Sequence, residues 1–377
     1  MVFICGCRPD QAVAPEQPKP PSIPVSRDGD GIVLGPFSGW VRGVDWFWMP
    51  DGQMLILTAE KHSQIADEPV MQLWVVDASS GDSRLLREAQ NTQAIFPIAF
   101  LDDSVLCIEI AHGSEHKNLI TAVSTGERDT TVLVEFEGFF KRHAVTPDAQ
   151  YVSVYYTGRE GGRIIRVNTA DGVTTELVSA LPLSDGLFPV WFSPDGRTAV
   201  MPETEYATRP FFVTLLNLIT GEKRSLELGK EPVEWINWSP SGDKFAYKVT
   251  DGRHKRVDLG ESTIVLSPQV RVLDNTGSPL ALIEMVSGRL AGAIGWYDEH
   301  TLVIGEGESV TETFPVWTAT LDGEMRRATA SEAEVLQHSA VPFPMERGES
   351  AEFSVQHESW HEQGSPPQHE IHIRALR

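Results

Sequence analysis

The chain has 377 residues, 41% of them hydrophobic, which suffices for a sizeable core and excludes wholesale disorder. Thirty-one Lys and Arg against 53 Asp and Glu give a net charge of −22, a poor field for nucleic acid or an anionic membrane. No apolar run approaches the ~18 residues of a spanning helix, and three cysteines supply no disulfide framework.

Residues 1–27 read as a tether. Six prolines fall between Pro9 and Pro24 with almost no large apolar residue among them. Such a segment buries nothing and favours an extended conformation. Ile4-Cys5-Gly6-Cys7 resembles the lipobox of bacterial lipoproteins, with Cys7 as the lipidated residue. That resemblance implies a cell-envelope, extracytoplasmic protein held to the membrane by its lipid alone. It also implies an apolar leader encoded upstream of Met1, because a signal peptide needs an apolar run of about 7–15 residues; the frayed terminus of a soluble protein is the alternative.

From residue 28 onward two kinds of turn alternate. The first is Trp48-Met49-Pro50-Asp51-Gly52, repeated at Val145-Thr146-Pro147-Asp148-Ala149, Phe192-Ser193-Pro194-Asp195-Gly196 and Trp238-Ser239-Pro240-Ser241-Gly242. Degenerate copies stand at Phe100-Leu101-Asp102-Asp103 and Trp296-Tyr297-Asp298-Glu299. Pro presets φ, Asp caps the turn and Gly accepts positive φ, which suits a tight link between antiparallel strands. The second is an apolar strand ending in a polar turn with Gly81, Gly126, Gly172, Gly221, Gly277 or Gly323, spaced 45, 46, 49, 56 and 46 residues apart.

Each period therefore holds four strands, as in the blade of a β-propeller. The pattern resembles the WD40-like Pro-Asp-Gly repeats of TolB-type propellers over residues 40–330. That resemblance implies an all-β fold with one propeller domain over residues 28–377.

Fifty-four residues follow Gly323, about one more period. Residues 335–341, 351–357 and 369–376 read as three strands of a seventh blade. Gly31-Ile32-Val33-Leu34 would supply the fourth from the other terminus, closing the ring. Six blades with a C-terminal appendage is the alternative. Residues 59–69 and 251–268 lengthen loops of the first and fifth blades, the latter with a basic cluster from Arg253 to Arg256.

His357-Glu358-Ser359-Trp360-His361 spells the zinc-protease motif HExxH, but the alternation before it is that of a strand and Pro366-Pro367 follows closely. A loop in the last blade is expected there, and no metal site is assigned. Asp28-Gly29-Asp30-Gly31 is expected to be a plain turn rather than a calcium loop. No GxSxG elbow or phosphate-binding glycine loop occurs, so no catalytic residue and no cofactor are assigned. Cys107, within Val105-Leu106-Cys107-Ile108, reads as core.

Five residues before the turn proline, the frame places Asp45, Phe96, Arg142, Pro189, Trp235 and Gly292, which are expected to cluster near one mouth of the channel. Of these, Phe96, Arg142 and Trp235 have the side chains of a binding interface; packing between blades is their alternative role. The function expected is a monomeric, non-catalytic scaffold for a protein or small-molecule partner. A lactonase- or lyase-like propeller enzyme with a polar or metal-binding channel is the alternative.

Overall fold

The computed structural model describes residues 23–376 apart from 30, 36, 38–39, 63–68, 91, 112–116, 127–128, 182–189, 204–210, 230–235, 250–254, 259–262, 286–288, 307–314, 339–352 and 361–367. Seven four-stranded antiparallel sheets follow one another as the blades of a propeller. Blades 1 to 6 each use four strands in chain order, starting at Trp40, Thr92, Phe139, Trp191, Asn237 and Ala291. A separate hairpin, Lys255–Asp258 with Thr263–Leu266, occupies the basic insertion of blade 5.

Burial falls across each sheet in a way that orients it. The second strands are almost wholly buried, for example Val105 to Ile108 in blade 2 and Thr198 to Pro202 in blade 4. The fourth strands are mostly exposed or half-exposed and form the outer rim. The first strands face the central channel.

Local chemistry sets the turns. In blade 4 the Ser193 hydroxyl donates to Asp195 Oδ1 (2.5 Å) and accepts from the Thr198 amide (2.9 Å), while Gly196 adopts φ 63°. Blade 3 repeats this with Thr146 and Asp148 (2.6 Å) and the Tyr151 amide (3.0 Å), but holds Ala149 at φ 52°. In the second kind of turn, Asp77 Oδ1 accepts from the amides of Ser79 (2.8 Å) and Ser80 (2.9 Å). Asn217 does the same for Ile219 and Thr220, both at 2.9 Å. These are side-chain mimics of backbone turns.

The sheets meet face to face through apolar clusters. One joins blades 1 and 2 through Ile56, Leu73, Val105 and Cys107. Others join blades 2 and 3 through Leu106, Ile108, Val152 and Val154, and blades 3 and 4 through Tyr155, Ile164, Ala199 and Met201. Blades 4 and 5 share Val213, Leu215, Phe245 and Tyr247; blades 5 and 6 share Val270, Val272, Leu302 and Ile304. Arginines add polar links to the next blade's glycine turn: Arg84 donates to Gly126 O (2.6 Å) and Arg166 to Leu218 O (3.0 Å).

Blade 7 closes the ring, and here the sequence expectation needs correction. Its strands are Phe353–Trp360, Gln368–Ala375, Gly31–Leu34 and Val25–Asp28, two from each terminus rather than three and one. Antiparallel pairing of Ile32 with Ile373 and Leu34 with Ile371 forms the clasp. Ile32, Leu34, Ile371 and Ile373 then pack on Trp46, Leu55, Leu57 and Trp74 of blade 1.

The strand expected from residue 335 is instead part of a helix, Ala330–His338. Thr329 and Glu332 form a capping box: the Thr329 amide donates to Glu332 Oε2 (2.7 Å), and the Glu332 amide to Thr329 Oγ1 (3.4 Å). Arg326 adds a salt bridge to Glu332 at 2.5 Å. This T-x-x-E signature outweighs the weak alternation of the residues after it.

Asp28 and Gly31 bracket the turn between two paired strands, and Gly29 there has φ 60°. His357 and Glu358 lie within the inner strand of blade 7, while His361 is outside the described residues. An extended strand advances about 3.3 Å per residue, so it cannot provide the one-turn stacking that HExxH chemistry needs.

Candidate functional site: the inner strand of blade 3 and the adjoining groove

Asp45, Phe96, Arg142 and Gly292 all fall on first strands, as the repeat frame requires. Pro189, Trp235 and Cys7 lie outside the described residues. Phe96 is half-buried and packs with the cluster between blades 2 and 3. Its ring stacks on Phe140 (centroids 6.5 Å), which in turn stacks on His143 (6.0 Å). Phe96 therefore backs an aromatic column.

The sequence Phe139-Phe140-Lys141-Arg142-His143 builds the strand in front of that column. Its register slips between Phe140, opposite Tyr156, and Arg142, opposite Tyr155. The extra residue is Lys141, which is exposed, with its ammonium 5.9 Å from the centre of the Phe139 ring. Bulges of this kind re-aim side chains. Arg142 is half-buried beside Tyr155, and loss of water lowers its pKa, with Tyr155 opposing. Burial raises the Tyr155 phenol, against the pull of Arg142. His143 is pushed down to about 4 by desolvation, so it is neutral at physiological pH.

A groove of about 1040 Å³ opens beside this strand, at the loop ends of blades 2 and 3. Lys117, Glu137, Phe139, Tyr156, Arg159 and Arg163 line it. Phe139 is 54% exposed, unusual for a phenylalanine on a first strand. Arg163 is fixed between Glu160 (2.6 Å) and Glu176 (3.4 Å), and Lys117 pairs with Glu135 at 3.5 Å. Asn118 Nδ2 donates to Gly138 O at 2.7 Å and ties the two blades together at the groove's edge. The result is an aromatic wall of Phe139 and Tyr156 bordered by charges of both signs.

Two other buried polar groups serve the architecture. Glu109 accepts from Thr121 Oγ1 (3.0 Å) and pairs with Arg87 (3.2 Å) between blades 1 and 2. Burial first, and Glu109 second, raise the Cys107 thiol well above its ordinary value, so it stays protonated in the core. Lys248 is buried in blade 5 and donates to Gly292 O at 2.7 Å. Gly292 is the extra residue of a register slip on the first strand of blade 6, so the lysine satisfies a carbonyl that the ladder skips. Among the described residues, no group of three His, Cys, Asp or Glu is placed to hold a metal ion.

Of this strand, Arg142 stands in the repeat frame, whereas Phe139, Phe140, Lys141 and His143 do not and were not expected at the site. The signal was present as five consecutive aromatic and basic residues in an acidic chain. What it lacked was the bulge that aims them.

No protein-family model matches the chain, and no characterised protein matches it in sequence. Solved structures do match. A prolyl endopeptidase aligns over 92% of this chain and 53% of its own, with 14% identity and a TM-score of 0.50. An oligogalacturonate lyase solved in complex with manganese aligns over 95% and 97%, with 12% identity and a TM-score of 0.46. TolB from Acinetobacter baumannii aligns over 63% and 53%, with 14% identity and a TM-score of 0.35. The chain thus spans about half the length of the peptidase and TolB chains. At these identities the likeness is one of fold: the chain is a seven-bladed β-propeller.

Proposed function

We propose that the chain is a non-catalytic binding propeller of the cell envelope, lipid-anchored at Cys7 through its proline-rich segment. Its partner binds at the channel side of blade 3 and in the adjoining groove. The observation that carries this is the pair of exposed residues Phe139 and Lys141 beside the half-buried Arg142 on the first strand of blade 3, in a chain with net charge −22. A local aromatic and cationic strip on an acidic surface is what a recognition site offers. In this arrangement Arg142 makes contact and Phe96 holds the aromatic column behind it; Trp235, outside the described residues, is kept as the third candidate for binding.

The test is a crosslinking capture from native envelopes with the full chain as bait, so that Val25–Asp28 remains in blade 7. Wild type is compared with Arg142→Ala and Phe139→Ala. A stoichiometric protein or small-molecule partner recovered by wild type and lost by both variants supports the reading. Equal recovery by all three overturns it. Turnover of a small substrate that survives both substitutions would instead favour a propeller enzyme. Cys7→Ser should abolish incorporation of labelled palmitate; undiminished labelling removes the anchor from the proposal.

A further inference from the structure

We propose that the Arg142 guanidinium and the Tyr155 phenol form a subsite for a carboxylate group of the ligand, on the face of blade 3 that looks to blade 4. The inference rests on the reading of blade 3 as the binding blade, and it names the chemistry that its arginine recognises.

The bulge decides where Arg142 points. Residues two apart on a regular strand share a face, so Phe140 and Arg142 would both turn to blade 2. The extra residue at Lys141 separates them. Phe140 stands opposite Tyr156 and packs with the apolar cluster between blades 2 and 3. Arg142 stands opposite Tyr155, whose ring belongs to the cluster between blades 3 and 4. Directly opposed residues of an antiparallel pair lie on the same face. The guanidinium and the phenol are therefore neighbours on the blade 4 side, and each acts on the ionisation of the other.

Neither group has a polar partner besides the other. Arg87, Arg163 and Arg289 are half-buried too, and each pairs with a carboxylate; Arg166 donates to Leu218 O. Arg142 makes no ion pair or hydrogen bond with any described residue, although the chain carries 53 acidic side chains. Tyr155 is 6% exposed, and its hydroxyl has no hydrogen bond among the described residues. Its ring lies in a cluster with Ile164, Val190, Ala199 and Met201, none of which offers a side-chain acceptor. Gly162 keeps the space beside the phenol open: a Cβ there would stand 2.8 Å from Tyr155 Cε2 and 3.1 Å from its hydroxyl. Buried charges are normally paired, and a buried hydroxyl is normally hydrogen-bonded. A cation and an O–H donor left unpaired side by side are what an oxyanion requires.

The charge sets the class of oxyanion. Arg142 supplies one positive charge. Burial raises the Tyr155 phenol, which therefore keeps its proton and donates it to a hydrogen bond. His143 is neutral and stacks on Phe140, on the other face of the strand. A carboxylate, held by the guanidinium and capped by the phenol, balances this set. A phosphate dianion would leave one charge uncompensated in a chain of net charge −22.

The experiment is calorimetric melting of the full chain in sodium benzoate, sodium phosphate or sodium chloride, at equal ionic strength and neutral pH. Wild type is compared with Arg142→Gln and with Tyr155→Phe, which keeps the ring in its cluster. Chloride gives each protein its own baseline, so a change in intrinsic stability does not enter. Benzoate should raise the melting temperature of wild type by roughly 1–2 °C over chloride. Arg142→Gln should lose this rise, and Tyr155→Phe should lose at least half of it. Phosphate should shift wild type and Arg142→Gln equally. No rise in wild type, an equal rise in all three proteins, or a phosphate shift that exceeds the benzoate shift and depends on Arg142 would overturn the proposal. If Arg142→Gln does not fold, Tyr155→Phe decides between the same outcomes. Envelope capture that still depends on Arg142 would leave the binding function standing when benzoate fails. A benzoate effect without any captured partner would strike that function and leave the subsite.

Discussion

The indole N–H of Trp296 in blade 6 donates to the backbone carbonyl of Asn237 in blade 5 at 2.9 Å. Trp238 in blade 5 makes the same bond to the carbonyl of Trp191 in blade 4 at 3.2 Å. In both, the tryptophan beside the turn reaches the residue before the equivalent aromatic in the preceding blade. The turn aromatic thus fills the core and also pins one blade's inner strand to the next. Trp296→Phe keeps most of the apolar volume but strands a carbonyl, and should cost about 1–3 kcal/mol in urea denaturation. An unchanged midpoint and slope would show that water replaces the indole.

Ala149 and Gly196 occupy the same position in successive blades, and exchanging their types should have opposite effects. Ala149 carries a left-handed φ that glycine adopts freely, so Ala149→Gly should stabilise by roughly 0.5–1 kcal/mol. At Gly196 a Cβ would collide with the carbonyl oxygen of Val145 in blade 3. Gly196→Ala should therefore destabilise by more than about 2 kcal/mol, through strain at φ 63° and displacement of the neighbouring blade. Calorimetric melting of the two variants checks both signs.

Removing residues 23–34 takes two strands from blade 7 and leaves Ile371 and Ile373 without the pairing that places them on blade 1. The expected result is a lower and broader melting transition for the whole ring. A truncated chain that melts like wild type would show that the clasp is dispensable.

His143 ties stability to pH with a defined sign. The unfolded chain takes up a proton near 6.5, whereas the folded state resists it until about 4 because the site is poor in water. Stability should therefore be full above 6.5, fall as pH drops through that window, and level off below about 4. His143→Phe retains a ring against Phe140 and should flatten this part of the stability profile.

Glu332 behaves in the opposite range. Arg326 first, then the Thr329 amide, hold its carboxyl at about 2 against an ordinary 4.5. A lowered carboxylate pKa contributes stability that is present above 4.5 and lost as pH falls through about 2. The gap in melting temperature between wild type and Glu332→Gln should hold steady above pH 5 (roughly), narrow below 4.5 and close near 2. A gap that ignores acid would mean the capping box does not depend on the charge.

Much of the ring was legible without coordinates. Ser193-Pro194-Asp195-Gly196 and its relatives declare a turn because Ser, Asp and Gly satisfy its hydrogen bonds and φ within five residues. Cys107 could be placed in the core from its apolar neighbours alone. The capping box at Thr329 and Glu332 is equally local, but the reading of residues 335–341 as a strand passed over it. The aromatic and basic run of blade 3 was visible too, but not the bulge at Lys141 that presents it.

The sequence by itself determined the repeat, the turns and the all-β architecture, because period-two alternation and turn chemistry act between residues close in the chain. Only the tertiary structure decided the rest. It split blade 7 evenly between the termini and turned Phe96 into the backing of Phe140. It also gave Lys248 a carbonyl in blade 6 and set the helix Ala330–His338 against the first three strands of that blade. Each of these depends on which face of one sheet meets which face of another, a relation between residues dozens to hundreds of positions apart that no local pattern encodes.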